Sequence, residues 1–110
     1  MKKLYYKLVR DKIPKIIRAK GVECKCTTCG EDFLENLDRK LQEEVTEYLQ
    51  NPCVEELADI AEVLSAILVE RGISVEELKQ VRQKKFDERG GFSKKVFLIS
   101  TDDGNSEGCS

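Results

Sequence analysis

Histidine is absent from the 110 residues, and its absence removes more chemistry than any other feature of the composition. Without an imidazole there is no Ser/His/Asp or Cys/His nucleophile and no zinc site built on ring nitrogens. A surplus of charge of either sign is also missing. The 19 Lys and Arg stand against 21 Asp and Glu, a net charge of −2, which gives neither a basic footprint for nucleic acid nor the character of an acidic tail. No apolar run approaches the roughly 20 residues that span a bilayer, and the first residues lack the apolar core of a secretory signal. The expectation is a cytoplasmic chain that engages neither nucleic acid nor a membrane. Five cysteines are present, but an odd number in a reducing compartment counts against a disulfide framework.

What remains is 40% apolar and 36% charged, the balance of a charge-rich helical domain. A chain of this length buries only a modest core by itself, so association with a second copy is expected. Residues 1–98 read as one domain and 99–110, ending in the small polar run TDDGNSEGCS, as a disordered tail.

Four helices are predicted. PKIIRAK begins with a proline suited to a first helical turn and stops at Gly21. Between Glu31 and Gln50, Leu34, Leu37, Leu41, Val45 and Tyr48 recur at three and four residues, and Asn51-Pro52 ends that helix. A third helix runs from Val54 or Glu55 to Arg71, where Gly72 supplies the stop. Ser74-Val75-Glu76-Glu77 fits a capping box for a fourth, extending to about Glu88 before Gly90-Gly91. Two stretches lack helical period, VECKC at 22–26 and KKVFLIS at 94–100, and are expected to be short extended segments, the second a strand. Long helices joined by so short a turn must lie antiparallel, which gives an all-α antiparallel bundle completed by homo-oligomerisation.

The acids of QEEVTEYLQNPCVEELADI, residues 42–60, lie where those helices need apolar surface. At about 100° of rotation per residue, Glu44 borders the Leu41 stripe and Glu47 falls further round on the same side, whereas Glu43 points largely away. On the next helix Glu56 falls inside the apolar arc set by Leu57, Ile60, Val63 and Ile67, with Asp59 on its edge. An ionised carboxylate aimed at a low-dielectric interior must be paired, neutralised or bound to a cation. Antiparallel packing sets Glu44 and Glu47 opposite Glu56 and Asp59, and a divalent cation would relieve their repulsion. All-oxygen ligation favours Mg²⁺ or Mn²⁺ over zinc.

Mg²⁺ held by carboxylates usually takes further ligands from substrate phosphates, and it activates phosphoryl groups and water without any histidine. Phosphoanhydride hydrolysis is the matching reaction, with a nucleotide or other phosphorylated compound as substrate. It also calls for cations near the leaving phosphates. KKFDERGGF offers Lys84, Lys85 and Arg89, and KLVRDK offers Lys7, Arg10 and Lys12.

EEVTE followed by EELAD resembles the signature of the all-α nucleoside triphosphate pyrophosphatases. These form the MazG-like superfamily, which includes phosphoribosyl-ATP pyrophosphohydrolases and dimeric dUTPases. YKLVRDKIPKII and ERGGF are similar to a small phosphoribosyl-ATP pyrophosphohydrolase-like branch, and the three motifs together span about residues 5 to 98. The resemblance implies Mg²⁺-dependent cleavage of a nucleotide between its α and β phosphates, in a homodimer or dimer of dimers. By matching position it implies Glu44, Glu47, Glu56 and Asp59 as metal ligands, Glu43 as the remaining acid of the motif, and Lys85 and Arg89 near the phosphates. Housecleaning of non-standard nucleotides is the expected role, with phosphoribosyl-ATP hydrolysis as its nearest rival.

Two readings of other classes stay open. One is a non-catalytic dimeric helical module whose acids bind a metal or a partner protein. The other uses Cys24, Cys26 and Cys29 as thiolates of a zinc or redox site, for which Cys53 or Cys109 would have to supply a fourth ligand; free thiols are the plainer expectation.

Overall fold

A computed structural model describes residues 1–102. It contains α1 (Ile13–Ala19), α2 (Phe33–Gln50), α3 (Val54–Arg71) and α4 (Val75–Arg89), and no strand among the described residues. The chain divides into two compact units, Met1–Val75 and a second beginning at Glu76.

In the first unit α2 and α3 pack against each other through the connection at 51–53. Contacts at opposite ends fix their direction as antiparallel. Arg71, closing α3, faces Asp38 near the start of α2 at 3.9 Å, while Glu44 of α2 lies beside Glu56 and Asp59 at the start of α3. The predicted apolar spacing is what meets in the seam. Leu37 and Val63 are buried, with Leu34, Leu41, Tyr48, Ile60, Ile67 and Leu68 half-buried around them. Val45, Leu57 and Leu64 remain exposed at 38%, 49% and 44%. The seam therefore covers only part of each apolar stripe, as expected of so short a chain.

Helix boundaries follow local chemistry. α3 ends in a left-handed Gly72, φ 69°, which lets the Ile73 N–H reach the Leu68 carbonyl at 2.9 Å and the Gly72 N–H reach Val69 at 3.1 Å. This paired closure satisfies carbonyls that the helix itself leaves without donors. α2 begins at Phe33 rather than Glu31. The residues before it form a turn in which Phe33 N–H donates to Gly30 O at 3.1 Å and Gly30 N–H donates to the Asp32 carboxylate at 3.1 Å.

α4, which apart from Val75 belongs to the second unit, is exposed at every residue. Its end shows why two glycines follow Arg89. Gly90, φ 81°, donates to Phe86 O at 2.7 Å, and a Cβ on Gly91 would come within 3.1 Å of the Phe86 ring.

The expected strand at 94–100 does not form; the segment is irregular, and Lys95 adopts a left-handed φ of 59° that interrupts extension at its start. The loop around 22–26 is likewise no strand. Its backbone is held by α1, with the Arg18 guanidinium donating to Cys24 O at 3.2 Å and Val22 N–H donating to Ile17 O at 3.4 Å. Apolar alternation makes a strand only where a neighbouring edge completes its ladder. Of the expected disordered tail, residues 99–102 are neither helix nor strand, and 103–110 lie outside the described residues.

Candidate metal centre

α2 and α3 bring three carboxylates together where their seam meets the 51–53 turn. Glu44, Glu56 and Asp59 each present an oxygen within 4.8 Å of the other two. Their placement follows from helical register: Glu44 borders the Leu41 stripe, Glu56 faces the partner helix, and Asp59 is one turn beyond Glu56 on the same edge.

Glu44 is the most committed of the three. Only 5% of it is exposed. One oxygen, Oε1, forms an ion pair with Lys40 Nζ at 3.2 Å, while the other, Oε2, is buried without a hydrogen-bond partner. Glu56 Oε2 is in the same condition. The Glu56 carboxyl is pushed above the ordinary carboxylate range, first by desolvation, then by repulsion from Glu47, Asp59 and Glu44, with a hydrogen bond to Glu47 favouring its protonated form. Glu47 is itself exposed. It stands beside Glu56 and outside the group of three, so three of the four acids expected as ligands converge and the fourth flanks them.

Glu43 has a different environment. Lys7 Nζ meets its Oε1 at 3.0 Å and Lys40 its Oε2 at 3.4 Å. Desolvation pulls its pKa up, but the Lys7 hydrogen bond and the charges of Lys40 and Lys7 outweigh it and hold the carboxyl below the ordinary range. Lys7 is correspondingly raised, chiefly by its hydrogen bond to Glu43, against desolvation, with help from the charges of Glu43, Glu47 and Glu44.

The basic residues predicted for phosphate binding separate into two sets. Arg10 Nη2 donates to Asp59 Oδ1 at 2.8 Å, so Lys7 and Arg10 both contact the acidic edge, and Lys12 takes the N-cap position of α1. Lys84, Lys85 and Arg89 are exposed on α4, in the second unit. Lys40 was missed by sequence reasoning. Its signal was present in the spacing, since it lies three and four residues before Glu43 and Glu44, where helical side chains meet.

This donor set suits a hard divalent cation. Oxygens within 4.8 Å of one another fit the roughly 4–5 Å span across the coordination shell of Mg²⁺ or Ca²⁺. Two buried carboxylate oxygens without donors are the condition a cation corrects, because buried polar atoms are otherwise almost always satisfied.

Family models, curated proteins and solved structures were compared with the chain, and none matched.

The cysteines do not form a comparable group. Cys24 and Cys26 sulfurs are 4.0 Å apart, while Cys29 accepts from Asn36 Nδ2 at 3.6 Å and Cys53 from Asn51 Nδ2 at 3.9 Å. All four are free thiols, and no three converge among the described residues. The Cys24 thiol is raised by burial first and by its hydrogen bond with Cys26, against the lowering charge of Arg18. That is the direction of an inert thiol rather than a reactive thiolate. Cys109 lies outside the described residues.

Proposed function

We propose that the α2–α3 pair is a divalent-cation site, with Glu44, Glu56 and Asp59 as ligands and Glu47 available beside them. The observation that carries this reading is the Glu44 carboxylate. It is more than nine-tenths buried, aimed into the acid group, and left with one oxygen unpartnered. The all-oxygen donor set favours Mg²⁺ or Mn²⁺. Calorimetric titration of the whole chain with Mn²⁺ and Mg²⁺ tests it. Saturable binding lost in Glu56→Gln is expected, and absence of binding by the folded protein overturns it.

We further propose that this cation serves nucleotide chemistry, as in the MazG-like pyrophosphohydrolases whose motifs the sequence resembles. Support comes from those motifs, EEVTE and EELAD, and from Lys7 and Arg10 at the rim of the acids. When bound, the metal would polarise a phosphoryl oxygen. The chain's own part is to fix the acids on two rigid helices and to present guanidinium and ammonium groups to anionic phosphates. Phosphorus NMR with Mg²⁺ and a panel of nucleoside triphosphates plus phosphoribosyl-ATP tests this step. Monophosphate and pyrophosphate as products support α,β cleavage. Cation binding without turnover supports the non-catalytic metal-binding module.

Val45, Leu57 and Leu64, exposed beside the seam, fit a second copy of the chain packing there. Sedimentation of the purified protein tests the homodimer or dimer of dimers.

A further inference from the structure

The N-terminal segment ahead of α1 contains no regular secondary structure, yet it is attached to the acidic edge at two points. Lys7 Nζ reaches Glu43 at 3.0 Å and Arg10 Nη2 reaches Asp59 at 2.8 Å. The two attachments are not equivalent. Glu43 stands outside the group of three carboxylates, whereas Asp59 is a member of it. Lys7 thus ties the segment down at an acid outside the group, with Glu44 only the least of the charges that act on it, while Arg10 pairs with an acid that a cation would also claim.

Resting on the proposed cation site, we propose that residues 7–10 form a counter-ion strap. In it Arg10 is the exchangeable charge on Asp59, displaced when a divalent cation binds, while Lys7 on Glu43 keeps the strap anchored. Electrostatics set the direction. A dication shared by Glu44, Glu56 and Asp59 withdraws the negative charge that holds Arg10 and repels the guanidinium at short range. Both partners are substantially exposed, Arg10 at 53% and Asp59 at 38% of their side chains. Their bridge is therefore one of modest strength that a multiply ligated cation can replace. The released guanidinium remains within the strap's reach of the site, free to meet an anionic group such as a phosphate arriving with the cation. Arg10 is on this account a positioning and gating residue, and the affinity of the site for its cation includes the work of releasing it.

The test is calorimetric titration of the whole chain with Mn²⁺ for the wild type, Arg10→Gln and the charge-retaining control Arg10→Lys. Nitrogen-15 NMR of the Arg10 side chain accompanies it in the wild type, with and without Mg²⁺. Removing the competitor in Arg10→Gln is expected to tighten cation binding about two- to fivefold, the range of an exposed bridge. Arg10→Lys should stay near wild type, and the Arg10 guanidinium signal should change on saturation. Binding in the wild type with equal or weaker affinity in Arg10→Gln and an unchanged Arg10 signal overturns the strap alone, making Arg10 a fixed support for Asp59. No binding in the wild type or in Arg10→Gln overturns the cation site, and the strap with it. A silent wild type with a binding Arg10→Gln supports both.

Discussion

α2–α3 and α4 both carry acids and bases and use charge in opposite ways. In the α2–α3 pair, Glu44 is almost fully buried and Glu56 half-buried, with Lys40 drawn to 15% side-chain exposure to meet Glu44. Along α4, Glu76 and Lys79 form a bridge at 4.0 Å with side chains 78% and 66% exposed, and Gln83 donates to Asp87 at 2.9 Å on the same open surface. The first arrangement concentrates unfavourable electrostatics that a ligand can relieve; the second dissipates charge into water. Composition contributes, since Val75, Leu78, Val81 and Phe86 are the apolar residues of α4, and within a helix the role of an acid is set by whether it falls inside or outside the apolar arc used for packing.

The sharpest way to break that contrast is to remove the seam. Leu37, 3% exposed, is expected on replacement by Ala to lose about 2–5 kcal/mol of stability, read by urea denaturation, and with it the convergence of the acids. In a core this small, that change should leave little folded protein. Glu56→Gln keeps the shape and removes the charge. Cation at about 100 times its dissociation constant should stabilise the wild type by roughly 2.7 kcal/mol, seen as a rise in melting temperature. In Glu56→Gln that rise should largely vanish and nucleotide turnover should stop, while circular dichroism stays helical; full turnover in this variant would exclude Glu56 as a ligand.

Proton linkage gives a third, smaller effect. The Glu56 carboxyl is raised in the folded state, so the folded protein holds its proton more tightly than the unfolded chain does. Stability without divalent cation should therefore fall as pH rises from the ordinary carboxylate value through the raised one, then level off. Glu43 is lowered and acts oppositely. Its contribution is present above the ordinary value and lost as pH falls through the depressed one. Melting temperature against pH, wild type beside Glu56→Gln, isolates the first slope, which should disappear in the variant. The smallest expected effect belongs to α4, where Glu76→Gln should change stability by no more than about 0.5 kcal/mol, with or without cation.

The helices were legible in the sequence because each carries its own stop: Gly21, Asn51-Pro52, Gly72 and Gly90 stand within a residue or two of the observed ends. Glu44, Glu56 and Asp59 were legible for a related reason, since rotation about a helix axis fixes which side a residue faces before any partner is known. Lys40 was not read, although its spacing permitted it, because several rotamers of a long side chain are compatible with that position. The attachment of Arg10 to Asp59 had no periodic signature at all, coming from an irregular segment 49 residues away. The apolar run at 94–100 shows the converse, a strand-like pattern without a strand, because pairing is a property of two segments and a sequence window contains one.

The short connection at 51–53 also bears on the order in which the molecule is made. Contacts between neighbouring helices are local in sequence, and chains rich in local contacts fold in roughly microseconds to milliseconds, whereas synthesis proceeds at roughly 5–20 residues per second. The hairpin that gathers Glu44, Glu56 and Asp59 can therefore close while α4 is still inside the ribosome. Once Gly72 has emerged, the α2–α3 hairpin that gathers the three acids is complete in sequence, so it is expected to form ahead of the residues that follow it.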